Sequence, residues 1–460
     1  MTSANDYEEL RVRHVHDMQA GFWEAVERLD WPASKLRAER ERRLRHLLRV
    51  AKRDSPWHAR RLRHIDPESF SEEQLEEIPP MTKDDLMDNF DEIVTDRRIT
   101  RAGAEAHIAA LTSDAYLLDR YHATTTGGSS LRRGLVLHDW DGWAEGSSGF
   151  ARYIFRRFAR PGEPPRRVIG SVLGAQHPMH VSSAMPQTFS DPQRTVWHRL
   201  PLTLPLDEIA QGLNQVQPEL LMGYPTMLHQ LSFLANAGKL AIAPHTIVSG
   251  AEPLLPESRE AIERAWPTAR LFNFWGMSEA FPAAFSCATG RGMHLSDDLV
   301  IVEPVDTQGR RVAPGVQSAK LYVTNLYNPT PQPIIRYEIT DEVTLIDEPC
   351  ACGSAHRRIE DVQGRLDDRF LYEGEITLHP IVFKSLLGRE VNIVEYQVRQ
   401  TPHGADVAIR CNRPVDTAML ATGMRQALQK LGMHDPQVTV ITVDRIERQQ
   451  SGKLKRFVPL

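Results

Sequence analysis

Hydrophobic positions in the first part of the chain recur at helical spacing. Four apolar side chains fall at i, i+3, i+4 and i+7, namely Leu44, Leu47, Leu48 and Ala51. Two helix-start signals follow, because Ser71 precedes Gln74 and Thr82 precedes Asp85 at the spacing of a capping box. We therefore predict a mostly helical region over residues 1–110.

From about residue 110 onward, short apolar runs alternate with helical segments. The predicted elements are strands at 220–222, 246–249 and 271–274 and helices at 225–237 and 256–266. A strand, a helix and a second strand at this spacing are typical of a parallel βαβ crossover. The middle of the chain is therefore predicted to be an α/β domain.

A different pattern begins after Gly364. Two alternating strands at 391–400 and 405–411 flank a Thr-Pro-His-Gly turn, and a helix at 417–431 and a strand at 437–443 follow. This pattern predicts a small α+β domain. We expect a large α/β domain over 1–364, including the helical preamble, and a small mobile domain over 365–460.

Composition narrows the class of protein. The 460 residues are 41% hydrophobic and 25% charged, which is typical of a globular protein long enough for two domains. An apolar run of about 18 residues, as needed to span a bilayer, is absent from the sequence. Four cysteines do not make a disulfide framework, and the first ten residues are polar and acidic. We expect a cytoplasmic protein without a membrane partner.

The charge distribution bears on nucleic-acid binding. The formal net charge of -5 argues against a protein that coats nucleic acid, although residues 35–63 hold 12 Lys and Arg against 3 acidic residues. We interpret this segment as a surface helix with a solvated basic face. A polyanion-binding arm is the alternative, but no stacking aromatics accompany the charges. No nucleic-acid partner is expected.

A run of small hydroxyl residues and glycines has the composition of a phosphate-binding loop. Residues 124–130 read Thr-Thr-Thr-Gly-Gly-Ser-Ser, and Arg132 and Arg133 follow. Backbone N–H groups and hydroxyls in such a run can cradle phosphate oxygens. A Walker loop is excluded, because the Gly-Lys-Ser/Thr sequence is missing at the required spacing.

Five further segments carry candidate chemistry. They are Ser-Gly-Ala-Glu-Pro at 249–253, Asn-Phe-Trp-Gly-Met-Ser-Glu at 273–279, Arg-Tyr-Glu-Ile-Thr-Asp at 336–341, Gly-Arg-Leu-Asp-Asp at 364–368 and Ser-Gly-Lys-Leu-Lys at 451–455. The first two follow predicted strands, and ligands of open α/β sheets bind at the carboxyl ends of strands. An aromatic residue there can stack on a purine, and a carboxylate can hold Mg²⁺.

The order and spacing of these segments resemble the adenylate-forming superfamily of acyl-CoA synthetases, peptide-synthetase adenylation domains and luciferases. Within it, the chain is most similar to the phenylacetate-CoA ligase branch, and the resemblance covers nearly the whole chain. The matching stretches are TTTGGSS, GYPTML, SGAEP, FWGMSEA, RYEITD, GRLDD and SGKLKR.

The resemblance implies a role for each candidate residue. The phosphates of ATP would be held by Thr126, Gly127, Gly128, Ser129 and Ser130. Gly250, Ala251 and Glu252 would line the adenine, with Pro253 and Gly276 in the same nucleotide-binding segments. Trp275 would stack on the adenine or flank the acyl pocket. Ser278 would bond the α-phosphate, Glu279 would bind Mg²⁺, and Asp341 and Arg365 would hold the ribose. Asp367 would be the hinge of the small domain, and Lys453 would reach both the carboxylate and the α-phosphate.

The sequence departs from the family pattern in three places. The phosphate loop continues with Leu131-Arg132-Arg133 where the family has Gly-Lys-Pro, and an arginine is not geometrically equivalent to that lysine. The ribose segment has Glu338 and Ile339 where the branch usually has Arg and Thr. Trp275 stands where Tyr is usual. These departures bear on the substrate more than on the adenylation step.

The resemblance implies an enzyme that uses ATP and Mg²⁺ to convert a carboxylic acid, of the aryl or arylalkyl class, into its acyl adenylate. The acyl group would then pass to a thiol, either coenzyme A or the pantetheine of a carrier protein. An amide-forming ligase that uses the same adenylate is one alternative, and a nucleotide-binding homologue without turnover is another. Assembly as a homodimer is left open.

Four residues have the chemistry of a structural zinc site. Cys287 and His294 follow the proposed Mg²⁺ segment, and Cys350 and Cys352 lie between the ribose and hinge segments. Three thiolates and one imidazole form a closed tetrahedral shell, which is the arrangement of structural zinc. The alternative is that these residues are unrelated core and loop positions.

Overall fold

The chain folds around one large, mixed β-sheet, as described by a computed structural model. The structure describes residues 4–126, 134–156, 167–174, 181–191, 194–202, 204–287, 291–362, 368–373, 376–378, 381–387, 390, 392–448 and 454–460. Among these residues, nine strands form the large sheet and four form the largest sheet of the C-terminal part.

The described α-helices are α1 Ala4–Glu27, α2 Ala33–Asp54, α3 Pro56–Arg61, α4 Lys83–Asp88, α5 Phe90–Ile93, α6 Arg101–Ala110, α7 Trp140–Phe155, α8 Val181–Thr188, α9 Leu206–Val216, α10 Pro225–Asn236, α11 Pro256–Ala265, α12 Ile381–Leu387 and α13 Thr417–Lys430. The strands are β1 His122–Thr125, β2 Leu135–His138, β3 Val168–Gly174, β4 Thr195–Pro201, β5 Leu220–Gly223, β6 Thr246–Gly250, β7 Arg270–Met277, β8 Ala280–Ser286, β9 Met293–Leu295, β10 Val300–Val305, β11 Lys320–Asn325, β12 Tyr337–Ile339, β13 Leu345–Ile346, β14 Arg358–Ile359, β15 Phe370–Tyr372, β16 Ile376–Leu378, β17 Ile393–Thr401, β18 Gly404–Cys411, β19 Gln437–Thr442 and β20 Phe457–Val458. Within the described ranges, no helix is long and apolar enough to span a membrane.

The large sheet has a parallel half and an antiparallel half. Its order is β13-β14-β9-β8-β7-β6-β5-β3-β4, and the strands from β4 to β7 run parallel. Beyond β7 the pairing is antiparallel. The predicted crossovers β5-α10-β6 and β6-α11-β7 are confirmed, and so is the α/β fold class. The carboxyl ends of the parallel strands consequently meet at one edge of the sheet, where ligands of such folds bind.

The first 110 residues are mostly helical, as predicted, and they pack on the large domain. Leu44 and its three predicted partners are fully buried, in a cluster that includes Ile301 and Ile335 from beyond the preamble. At the start of α4, Thr82 accepts a hydrogen bond from the backbone of Asp85, whose carboxylate accepts one from Thr82 N. Both ends of this capping box are therefore satisfied, which fixes where the helix begins.

The C-terminal part has a hydrophobic core of its own. Its sheet has the order β19-β18-β17-β20, with β17 and β18 forming the predicted hairpin. Helix α13 packs on this sheet through Met424 and Leu428, which are completely buried. One large-domain residue, Leu255, joins the same cluster and is only 2% exposed. This cluster is consistent with a small C-terminal α+β domain that docks on the large one.

Candidate active site

An apolar cavity of about 310 Å³ lies where the parallel strands end. The strand residues that line it include Leu173 on β3, Met222 and Gly223 on β5, Gly250 on β6, and Phe274 and Gly276 on β7. The carboxyl ends of β3, β5, β6 and β7 lie side by side because neighbouring strands among them pair in parallel. The cavity is large enough for a small organic molecule, and most of its lining is hydrocarbon.

Three helices complete the cavity with bulky side chains. They contribute Phe22 and Trp23 from α1, Phe150 and Ile154 from α7, and Met185 from α8. The sequence reasoning missed the contribution of α1, which was assigned only to a helical preamble. The adjacent aromatic residues Phe22 and Trp23 in this helix were the signal that could have indicated it.

The turn after β6 brings the backbone of the predicted adenine segment to the cavity. A β-carbon at Gly250 would lie 2.2 Å from Phe274 Cε1, so only glycine fits against that ring. Ala251 also lines the cavity and has a φ of 65°, in the left-handed region that residues other than glycine rarely adopt. Glu252 and Pro253 follow in the loop before α11, and both are half-buried.

Side chains of β7 alternate between two environments, as a strand requires. Phe274 faces the cavity, whereas Trp275 is 7% exposed and belongs to the core cluster on the other side. The indole Nε1 of Trp275 donates to Asp341 Oδ2 at 2.9 Å. The candidate adenine and ribose residues are therefore in direct contact, and this bond orients the Asp341 carboxylate.

Ser278 and Glu279 follow β7 directly, and they have different surroundings. Ser278 lines the apolar cavity, while the backbone oxygen of the 5% exposed Glu279 accepts from Asn325 Nδ2 at 2.8 Å. Burial raises the pKa of Tyr337 well above its usual value, and the hydrogen-bonded carboxylate of Glu279 adds to this effect. Glu279 is therefore held at a fixed position beside a phenol.

The Glu279 carboxylate also lies next to the base of the predicted phosphate loop. Thr126 N donates to Gly134 O and Gly134 N donates to Thr126 Oγ1, both at 2.9 Å. A β-carbon at Gly134 would lie 3.7 Å from Glu279 Oε1. The two ends of the loop are thus brought together beside this carboxylate.

Several predicted site residues lie outside the described residues. They are Gly127, Gly128, Ser129 and Ser130 of the phosphate loop, Arg365, the hinge residue Asp367, and Lys453. Their assigned roles stay predictions.

His138 is a further buried residue near this site that the sequence reasoning did not single out. It lines a small cavity with Ser278 and Tyr327, and burial lowers its pKa to about 3. The imidazole is therefore neutral near pH 7. A lone histidine at the end of a four-residue strand gives no signal of this placement in the sequence.

The four candidate zinc ligands converge, although they come from separate segments. The ligand atoms of Cys287, His294, Cys350 and Cys352 all lie within 4.8 Å of one another. Cys287 Sγ and Cys350 Sγ are 3.4 Å apart, and Cys352 Sγ is 3.3 Å from His294 Nε2. The other ring nitrogen of His294, Nδ1, is 3.1 Å from the backbone oxygen of His356, which can fix the tautomer that leaves Nε2 free for a metal.

The comparison with solved structures identifies the fold. The crystal structure of 2-hydroxyisobutyryl-CoA ligase in the postadenylation state matches with a TM-score of 0.72 and 19% sequence identity, over 94% of this chain and 91% of that chain. The same ligase in its thioesterification state matches over the same shares with a TM-score of 0.58. The chain has the fold of the adenylate-forming ligases, which confirms the fold that the resemblance implied.

The sequence comparison points to a particular relative. The chain is 26% identical over 371 residues to the phenylacetate-coenzyme A ligase of Thermus thermophilus, which covers 77% of this chain and 76% of the relative. It is also 30% identical over 159 residues to Protein CapK of Staphylococcus aureus, over 34% of this chain and 33% of that protein. A scan against models of protein families found no match.

Proposed function

We propose that the chain is an AMP-forming ligase that joins a carboxylic acid to coenzyme A. The observation that carries the proposal is the apolar cavity at the strand ends, whose lining includes Gly250, Ala251 and Ser278 from the predicted nucleotide segments. An acid bound there has its hydrocarbon part in the cavity and its carboxylate toward these segments. The similarity to two acid–CoA ligases supports the same reaction.

The reaction has two steps. In the first, a carboxylate oxygen attacks the α-phosphorus of ATP, the bond to the β-phosphate oxygen breaks, and pyrophosphate leaves. In the second, a thiolate attacks the acyl carbonyl carbon, and AMP leaves with the electrons of the acyl–oxygen bond. The first step brings two anions together, so it requires cationic or hydrogen-bonding groups at the reacting oxygens.

We assign the charge-stabilising roles to Ser278, Glu279 and Lys453. Mg²⁺, when bound with ATP, would neutralise phosphate charge and polarise the phosphoryl oxygens. The buried Glu279 carboxylate beside the ends of the phosphate loop fits a ligand of such a hard cation. Ser278 would donate its hydroxyl to the α-phosphate, and Asp341, oriented by Trp275, would accept from the ribose hydroxyls.

The acid belongs to the apolar class, and an aryl or arylalkyl acid fits the lining best. Aromatic rings from α1, α7 and β7 surround the cavity, and ring–ring contacts add to the gain from area burial. Phe150 and Phe274 already form such a pair, with ring centroids 5.0 Å apart. A short polar acid would leave most of this surface uncovered.

Pyrophosphate release with a series of acids tests the proposal. We expect release with phenylacetate-like acids and little with acetate or lactate, and we expect the acyl group to appear on coenzyme A. Parallel reactions with pantetheine-loaded carrier protein and with amines identify a different acceptor if there is one. Absence of acid-dependent pyrophosphate release across the series would rule the ligase function out.

We also propose that Cys287, His294, Cys350 and Cys352 bind one structural zinc ion. Two sulfurs at Zn–S bonds of about 2.3 Å in a tetrahedral site are about 3.8 Å apart, which is close to the 3.4 Å between Cys287 and Cys350. Gly353 has a φ of 81°, and its N–H donates to Cys350 O at 3.0 Å. The resulting tight turn lets both sulfurs of the Cys-x-Cys pair face one ion.

We expect about one zinc ion per purified chain and its loss in the variant Cys350→Ser. The site ties the antiparallel strand β9 to the loops after β8 and before β14, so its loss should lower stability before activity. A loss of 2 kcal/mol would lower Tm by about 3 °C for a domain of roughly 360 residues, because the unfolding entropy is about 2.1 cal/mol/K per residue. Cys411→Ser is the matched control, because Cys411 is only partly buried against the C-terminal core, so its variant should keep the metal and most of its Tm. Less than one zinc per chain in the wild type, with unchanged melting of Cys350→Ser, would contradict the site.

A further inference from the structure

Glu252, which the motif resemblance assigns to adenine, makes its side-chain contacts elsewhere. The turn that begins at Ala251 directs its carboxylate to the amino end of α10. There Glu252 Oε2 accepts from Thr226 Oγ1 at 2.7 Å and from Thr226 N at 3.3 Å. A carboxylate at this position is favoured by the free N–H groups and dipole of the helix, so it is held in one place.

The second oxygen of the same carboxylate contacts the C-terminal part of the chain. Glu252 Oε1 accepts from the backbone N–H of Leu454 at 2.8 Å, and Leu454 is only 6% exposed. Hydrogen bonds to an ionised acceptor are stronger than neutral ones. In the sequence, Leu454 directly follows Lys453, so one peptide unit separates the predicted catalytic lysine from this contact.

Further contacts surround this bond and join the same two parts of the chain. Arg448 Nη1 donates to Thr226 Oγ1 at 3.2 Å, and the same guanidinium pairs with the buried Glu395 on β17. Leu255, three residues after Glu252, is inserted in the C-terminal hydrophobic cluster. Glu252 is therefore at the interface between the two parts, with one oxygen on each side.

We propose that Glu252 is a positioning residue for the adenylation step, and this inference rests on the proposed ligase function. Its carboxylate fixes the segment beginning at Leu454 against the amino end of α10, and thereby the small domain in the orientation that activates the acid. The comparison with 2-hydroxyisobutyryl-CoA ligase supports this proposal. The chain matches that ligase with a TM-score of 0.72 in its postadenylation state and of 0.58 in its thioesterification state. Transfer to the thiol requires the bond to Leu454 to break.

The two half-reactions separate this role from an adenine contact. We expect Glu252→Ala to slow acid-dependent pyrophosphate release about tenfold, the effect of losing one charge-assisted hydrogen bond. Its KM for ATP should not change, and thioester formation from supplied acyl adenylate and coenzyme A should keep its wild-type rate. Glu252→Gln retains one acceptor oxygen but presents an NH2 donor to the other partner, so it should recover only part of the loss. Glu260→Ala, at an exposed position of α11, is the matched control.

Equal slowing of both half-reactions, or a raised KM for ATP with unchanged kcat, would overturn the proposal in favour of an adenine or purely structural role. A second measurement is independent of turnover, namely hydrogen exchange at the Leu454 amide. It should accelerate about tenfold in Glu252→Ala, and unchanged exchange would also overturn the proposal. If the wild type releases no pyrophosphate with any acid, the ligase function fails, and the exchange measurement still decides whether Glu252 holds this segment.

Discussion

Replacement of Lys453 by alanine is expected to slow formation of the acyl adenylate about 10²–10³-fold, which corresponds to about 3–4 kcal/mol of transition-state stabilisation. The acid carboxylate and the α-phosphate both carry negative charge, and charge on the phosphoryl oxygens persists through the transfer. An ammonium placed between them stabilises that arrangement more than it stabilises the separate ground states. Among the motif residues, Lys453 is the one that the resemblance assigns to both anions.

ATP binding should be nearly intact in this variant. The contacts assigned to adenine and ribose come from the large domain, where Gly250 and Ala251 line the cavity and Trp275 orients Asp341. Isothermal calorimetry with ATP therefore separates loss of chemistry from loss of binding. Kinetics should show the same separation, since an interaction made only in the transition state lowers kcat and leaves KM unchanged.

Lys455→Ala is the matched control, because Lys455 lies two residues away and the substitution keeps the backbone oxygen that accepts from Gln397 Nε2 at 2.9 Å. It should release pyrophosphate at close to the wild-type rate. Near wild-type release by Lys453→Ala with the preferred acid would show that another group supplies the charge. Arg132 and Arg133, which stand in place of the usual lysine of the phosphate loop, would be the next residues to test.

The sequence was sufficient to predict the fold because each local pattern agreed with the global topology. The strands at β5, β6 and β7 are short apolar runs followed by helices that begin at Pro225 and Pro256, and this order permits little besides parallel crossovers. The C-terminal hairpin was equally clear, since alternation with period two flanks a four-residue turn. In both regions the signal for each single element lies within a window of about 15 residues along the chain.

The candidate site was predictable only where its residues sit in short motifs. Contacts between distant segments were not, and the bond between Trp275 and Asp341 is an example, because the two residues are 66 positions apart. The role of α1 in the cavity and the two-sided contacts of Glu252 have the same origin. Packing of one element on another decides them, and no local pattern in the sequence reports that packing.

Convergence of the cysteine cluster is an intermediate case. Its residue types were evident from the sequence, but whether Cys287 and Cys350 would meet depended on how β8, β9 and β14 pair. The antiparallel order of these strands brings both loops to one side of the sheet. A pattern of ligand types thus identifies candidates, and the topology decides whether they can share an ion.

Replacement of Asp298 by alanine is expected to lower the free energy of unfolding by about 3–5 kcal/mol, because it leaves the buried Arg152 cation without its carboxylate partner. Asp298 and Arg152 are both fully buried, and two bonds of 2.7 Å join the carboxylate to the guanidinium. Arg28 Nε lies 3.3 Å from the same carboxylate. Burial opposes ionisation of Asp298, but the charge of Arg152 prevails and holds its pKa well below the usual range.

This ion pair joins the parts of the fold that form the cavity wall. Arg152 lies on α7 and also donates to the backbone oxygen of Ala25 on α1 at 3.2 Å, while Asp298 precedes β10. The same two helices present Phe22 and Phe150 to the cavity. A loosened contact between them should therefore weaken binding of the acid as well as stability, although neither charged residue touches the cavity.

Urea unfolding at neutral pH measures the effect, and two further variants make it specific. Glu360→Ala removes the partner of Arg291 in an exposed pair whose side chains are 43% and 81% accessible, and it should change stability little. Arg152→Leu combined with Asp298→Leu removes both main charges, so it should be less destabilising than Asp298→Ala alone. An effect of Asp298→Ala no larger than that of Glu360→Ala would show that the buried pair does not hold the two helices together. The depressed pKa of Asp298 contributes stability only while the carboxylate is ionised. The difference in the free energy of unfolding between wild type and Asp298→Ala should therefore shrink as the pH falls below the usual carboxylate range.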